Sequence, residues 1–192
     1  MANSFLTSTP VSTFLNVALN DVGSGAKDNI SFWIPAIPKD SLYYYLGYYA
    51  TSNYNAPPAG SLMLYKANND DPKNPCLVRP VDFAMVWECT GNGKPSYLGI
   101  YSPVAPKGYL AIGSIAVPDF RNPPHVDQYP NLMCVRADLA TSITVNTTNN
   151  LVWADHGSGA KGDVTVYQLP NSLSCYAVSG YPSSSQAWDI VL

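Results

Sequence analysis

The chain has 192 residues, 46% of them hydrophobic and only 12% charged, with a net charge of -3. That length holds one substantial domain rather than two, and its scattered Lys and Arg residues exclude a basic footprint for nucleic acid. No run approaches about 18 consecutive apolar residues, so no transmembrane segment is expected.

Few charges combined with 14 Tyr, 17 Pro and 13 Gly predict short strands joined by tight turns, because aromatics suit a pleated surface while Gly and Pro interrupt helices. The N-terminal stretch MANSFLTSTPVSTF has neither the basic nor the apolar region of a secretory signal. The expected location is therefore the cytoplasm, or outside the cell by a route without a signal peptide. Four cysteines, Cys76, Cys89, Cys134 and Cys175, show no CxxC spacing, and three of them sit in or beside apolar strand-like runs, which favours buried free thiols over disulfides.

Along the chain one unit of about 67 residues occurs three times. Its marker is a glycine loop that reads Gly23-Ser24-Gly25-Ala26-Lys27 in the first copy, Gly91-Asn92-Gly93-Lys94 in the second and Gly157-Ser158-Gly159-Ala160-Lys161 in the third. Leu19, Trp87 and Trp153 precede the loop at matching distances, and Trp33, Tyr101 and Tyr167 follow it. A Tyr-x-x-x-Gly pattern then runs from Tyr43 to Gly47, Tyr109 to Gly113 and Tyr176 to Gly180. On this register the single domain, 1–192, divides at about 11–82, 83–149 and 150–192.

Each copy reads as four strands. The first precedes the glycine loop (11–19, 83–88, 150–155) and the second follows it (30–34, 97–101, 164–168). The third carries Tyr-x-x-x-Gly, and the fourth covers 62–66, 132–137 and 187–192. Segment 41–50 has the best helical spacing, but its tyrosines and its strand-like counterpart GYLAIGSIAV place it among the strands. The predicted fold is all-β: a pseudo-threefold β-prism of three four-stranded antiparallel sheets, with a β-trefoil as the alternative. Trefoil units of roughly 40–50 residues are shorter than this repeat, which favours the prism.

The loops carry the most informative local chemistry. Closely spaced glycines allow positive φ and bring backbone N–H groups together. Asp21 and Asp155 stand beside those amides, so carboxylate acceptors and amide donors can share the hydroxyls of a sugar diol. The candidate ligand-binding residues are therefore Asp21, Gly23, Ser24, Gly25, Lys27 and Asp28 in copy one. Copy two contributes Glu88, Gly91, Asn92, Gly93 and Lys94, and copy three Asp155, Gly157, Ser158, Gly159, Lys161 and Asp163. A competing explanation is structural: Asp and Ser simply satisfy the backbone of a turn that threefold geometry demands three times.

Other chemistries fit poorly. Ser24 to Lys27 and Ser158 to Lys161 spell S-x-x-K, but that nucleophile motif belongs at a helix start with companion motifs absent here. GNGKP is not a phosphate-binding loop. His125 and His156 are the only histidines and have no suitably spaced metal-ligand partner. No nucleophile–base or paired-carboxylate constellation stands out. A non-enzyme without cofactor or metal is expected.

The stretch VWECTGNGKPSYLGIYSPVAPKGYLAIGSIAVPDFRNPPHVDQYPNLMCVRADL, with LVWADHGSGAKGDVTVYQLP after it, resembles the repeat of the vacuolar protein sorting-associated protein 62 family of fungi and plants. That repeat runs W-x-D-x-G-S-G, an aromatic, P-x-x-P-x-G-Y-x-x-x-G, then V-R-x-D-L, and the best match lies between Val86 and Pro170. The middle copy departs from it, with Glu88-Cys89-Thr90 where the others carry Asp21 and Asp155. The resemblance implies a β-repeat module rather than an activity. Similar units occur in the adaptor-binding region of vacuolar protein sorting-associated protein 13-type lipid-transfer proteins, and the threefold plan resembles jacalin-related β-prism lectins.

The functional expectation is a non-catalytic, lectin-like protein whose partners are glycans, held at glycine-rich loop tips. Such sites are individually weak, so avidity across sites, or across subunits of a homo-oligomer, matters. The alternatives are a protein or peptide adaptor of the trafficking type, as the resemblance implies, and a defence or toxin protein that recognises glycans or lipids.

Overall fold

In the computed structural model, residues 5–68, 70–90 and 97–191 are described, with residues 16–18 described by their backbone alone. The chain is all-β, built from small antiparallel sheets, and is not a barrel. Its three copies repeat one plan, which fits a β-prism- or β-trefoil-like fold.

Copy one contains β1 (Leu6–Pro10), β2 (Phe14–Asn20), β3 (Ser31–Pro35), β4 (Tyr49–Thr51) and β5 (Met63–Ala67). Copy two contains β6 (Leu77–Val78), β7 (Asp82–Glu88), β8 (Gly99–Val104), β9 (Tyr109–Leu110), β10 (Ile115–Val117) and β11 (Cys134–Arg136). Copy three contains β12 (Ala140–Asn146), β13 (Leu151–Ala154), β14 (Val164–Gln168), β15 (Cys175–Ser179) and β16 (Ser184–Ile190). The helical content of the described residues is two single 3-10 turns, Val126–Gln128 and Ala137–Leu139.

The expected four-stranded sheets divide in two. In every copy the hairpin around the glycine loop and the strand after it form a three-stranded sheet: β2-β3-β4, β7-β8-β10 and β13-β14-β15. The last strand of each copy leaves that sheet and pairs antiparallel with the copy's own first strand, as β1 with β5, β6 with β11 and β12 with β16. These ribbons move the copy boundaries. Strand pairing groups β12 with copy three, whereas the glycine-loop register placed 140–149 at the end of copy two. Sequence reading overlooked β12 and the short leading strands because their partners lie most of a copy away.

The middle strands β3, β8 and β14 are buried on both faces, which is why SFWIP and VTVYQ read as nearly continuous apolar or small runs rather than as alternating ones. Trp33, Tyr101 and Tyr167, the aromatics aligned from sequence, sit on these strands and are buried. One apolar cluster, centred on Phe32, Ile100, Val166, Trp87 and Trp153, lies mainly under the three-stranded sheets. A second, with Leu6, Val135, Val145 and Ile190, lies mainly under the ribbons. All four cysteines are buried and free.

The copies close on a ring of backbone hydrogen bonds. Tyr48 N–H donates to Ser114 O (2.9 Å), Ser114 N–H to Cys175 O (2.7 Å) and Cys175 N–H to Tyr48 O (2.8 Å). The residues just before them, Gly47, Gly113 and Ser174, crowd the axis: a Cβ added to Gly113 would lie 2.6 Å from Ser174 Cβ. This ring corrects the alignment of copy three, whose counterpart of Gly47 and Gly113 is Ser174 and not Gly180. The strand expected at 43–47 begins past the glycine, at β4; before it the chain makes only isolated bridges, Tyr44 with Tyr65 and Tyr45 with Leu132.

Candidate functional site

The glycine loops of copies one and three sit at one end of their sheets and are built by local hydrogen bonds. In copy one, Asp21 is buried; its Oδ1 accepts from Ile30 N–H at 3.0 Å and its Oδ2 from the Ser24 hydroxyl at 3.0 Å. The Ser24 hydroxyl in turn accepts from Ala26 N–H at 3.0 Å. Copy three repeats this through Asp155, with Val164 N–H at 2.9 Å, the Ser158 hydroxyl at 2.8 Å, and Ala160 N–H on Ser158 at 3.1 Å. Gly23, Gly25, Gly157 and Gly159 all adopt positive φ, from 67° to 90°, the conformation for which the motif needs glycine.

Asp21, Asp155, Ser24 and Ser158 are thus turned inward and engaged by their own loops. Lys27, Asp28, Lys161 and Asp163 face solvent with Gly25 and Gly159, and Glu88 is half-buried at the end of β7. Gly91, Asn92, Gly93 and Lys94 lie outside the described residues.

The loops also touch one another. Lys27 N–H donates to His156 O at 2.8 Å, and Lys161 N–H to the Thr90 hydroxyl at 2.9 Å. Trp153 Nε1–H of copy three donates to Asp28 O of loop one at 2.8 Å. Trp87 Nε1–H of copy two makes the equivalent bond to Gly162 O of loop three at 2.8 Å, and also reaches Asp155 Oδ2 at 2.9 Å. The two indoles meet edge to face, 5.6 Å apart. In place of three isolated tips, copies one and three form a joined polar surface, with Thr90 of copy two against it.

Sequence reasoning missed the residues that dress this surface. Tyr54 lies across loop one, its hydroxyl 3.0 Å from Asp21 Oδ1 and 2.9 Å from Asn29 Oδ1, and its ring is 40% exposed. Desolvation of that hydroxyl, and then the neighbouring Asp21 carboxylate, push it up to about 12, so it stays a neutral phenol. Tyr181 takes the same place over loop three. Its hydroxyl is raised by desolvation and by the neighbouring Asp155 carboxylate, and its ring packs 4.0 Å from His156. A depression of about 420 Å³ opens beside Tyr54, Asn29 and the Gly23–Gly25 backbone.

In copy two the counterpart of Tyr54 and Tyr181 is Phe120, and the counterpart of Asp21 and Asp155 is Cys89. Loss of the carboxylate and loss of the phenol hydroxyl go together, as expected of two groups that satisfy each other. Once copy three is aligned on Ser174, an aromatic stands at one spacing past the axis residue in every copy, as Tyr54, Phe120 and Tyr181. The alignment on Gly180 hid that signal.

Among the described residues, no group of three or more His, Cys, Asp or Glu side chains is placed to hold a metal ion, and no helix is long and apolar enough to cross a membrane. The vacuolar protein sorting-associated protein 62 family model matches residues 5–179, and the chain belongs to that family. No curated protein matches it. The crystal structure of GNIP1Aa from Chromobacterium piscinae is similar over 93% of this chain, with a TM-score of 0.76 and 25% sequence identity. The chain spans 34% of the GNIP1Aa chain.

Proposed function

We propose that the chain is a non-catalytic, lectin-like carbohydrate-binding protein whose sites lie on the glycine-loop surface. The observation that carries this reading is the repeated placement of a part-exposed tyrosine, Tyr54 or Tyr181, over a buried loop aspartate and next to a glycine-rich backbone. An aromatic face beside fixed amides and carboxamides suits a sugar ring, whose C–H face stacks while its hydroxyls bond at the edge. Asn29, Lys27, Asp28 and the Gly23–Gly25 backbone supply the edge in copy one, and Asp163, Lys161 and His156 in copy three. Asp21 and Asp155 act one step back, by holding the tyrosines and the turns.

Two such sites on one surface favour recognition of glycans carrying repeated epitopes, with affinity gained through avidity or self-association. A glycan array tests it with the wild type and a Tyr54→Ala, Tyr181→Ala double variant, which spares the buried aspartates. Binding by the wild type and its loss in the variant are expected. Absence of wild-type binding across a broad array overturns the reading.

A further inference from the structure

The seam between copies one and two departs from the seam between copies two and three. Between copies two and three, edge strands β7 and β15 are tied by the Ser179 hydroxyl to Val86 O at 3.2 Å, and Trp87 reaches across to loop three. Between copies one and two, the equivalent strands β2 and β10 flank a cleft of about 550 Å³. Leu19 lines it, at the position where the other copies carry Trp87 and Trp153. The register of β2 against β3 also slips by more there, between Phe14 and Ala18, than at the matching points in β7 and β13. Bulges of this kind re-aim side chains and loosen pairing beside binding sites.

The floor of the cleft is equally specific to this seam. Tyr45 and Tyr48 line it, where copy two has Ala111 and Ser114 and copy three has Ser172 and Cys175. The Tyr45 and Tyr48 rings pack against each other with centroids 5.8 Å apart, and each phenol hydroxyl carries one proton that it can donate. Burial pushes both phenols far up, so they remain uncharged. Leu15, Ile34, Val117 and Pro118 form apolar walls, and Tyr129 adds a third phenol. The one charged group among the described lining residues, Asp119, is held by Arg121 through two bonds of 2.8 Å.

We propose that the cleft between β2 and β10 is a binding site for an uncharged small molecule with an apolar body and a carbonyl or hydroxyl acceptor directed at the Tyr45–Tyr48 pair. Its volume falls within the usual range of ligand pockets, and a lining with no unpaired charge disfavours ionic ligands. The site is separate from the glycine-loop surface, so it stands or falls independently of sugar binding.

Nile red, a flat uncharged dye with a ring carbonyl, tests it by its emission shift on titration into the whole chain. Saturable one-to-one binding is expected, weakened about fivefold by Tyr45→Phe, which removes one of the two hydroxyls and keeps the shape. Leu19→Trp, which places in the cleft the indole of the other copies, is expected to weaken it at least about tenfold. Leu15→Trp, at an exposed rim position, serves the same purpose if Leu19→Trp does not fold. No saturable binding to the wild type, or undiminished binding in both Tyr45→Phe and the tryptophan variant, overturns the proposal. Equal affinity for the anionic dye anilinonaphthalene sulfonate, with the same sensitivity to the variants, overturns the preference for an uncharged ligand.

Discussion

Gly47 and Gly113 face each other at the pseudo-threefold axis so closely that a Cβ on Gly47 would lie 2.6 Å from Gly113 Cα. Neither glycine is needed for positive φ; each is needed for space, because the backbone ring through Tyr48, Ser114 and Cys175 draws three segments of the chain together. Gly47→Ala is therefore expected to lower stability by about 2–3 kcal/mol through overpacking against backbone that has no room to give. Gly162→Ala, with open space at its Cβ, is expected to stay within about 0.5 kcal/mol of wild type. Urea unfolding followed by circular dichroism measures both.

Asp155 holds a second junction, accepting from Val164 N–H, the Ser158 hydroxyl and Trp87 Nε1–H. Asp155→Ala leaves three donors at a buried position and is expected to cost about 3 kcal/mol or more. Trp87→Phe removes the indole donor and part of the packing against Trp153, for about 1–3 kcal/mol. The double variant should lose less than the sum, because both changes break one bond. A thermodynamic cycle from urea melts that shows strict additivity would contradict the shared contact.

All four cysteines are buried and free, and burial pushes Cys134 and Cys175 up to about 12. A thiol so protonated and enclosed is a poor nucleophile. Ellman's reagent at mildly alkaline pH should leave the native chain unmodified and titrate four thiols after denaturation. Rapid modification of a native thiol would refute their enclosure.

Arg136 bonds to both Asp138 oxygens, at 2.6 and 3.1 Å, and holds that carboxyl below the usual carboxylate range. A carboxyl depressed in the folded state contributes stability above its unfolded pKa and loses it as pH falls through the lowered folded value. Arg136→Gln should therefore destabilise at neutral pH, with the charge-dependent part fading in acid. Asp138 is largely exposed, so that part should stay under about 1 kcal/mol. Urea midpoints at neutral pH and at roughly pH 2 report it.

Much of the fold was legible because it is local. The D-x-G-S-G turn closes through contacts a few residues apart, Asp21 with Ser24 and Ser24 with Ala26, so its composition announces it wherever it recurs. Its flanking strands and the aromatics Trp33, Tyr101 and Tyr167 follow at regular spacing for the same reason. The ribbons were not legible, since β12 meets β16 at the far end of its copy. The site was half legible: the loops were visible, while Tyr54 and Tyr181 needed the correct alignment of copy three.

The sequence by itself determined the threefold repetition, the glycine turns and the all-β character, because each rests on backbone preferences and hydrogen bonds between near neighbours. Only the tertiary structure decided that Ser174 takes the place of a glycine at the axis. It alone joined two loops through the Trp153 and Trp87 indoles, and opened one seam where Leu19 stands for tryptophan. Those are contacts between copies that have diverged, and a residue's size or its donor has meaning there only once its neighbour from another copy is in place.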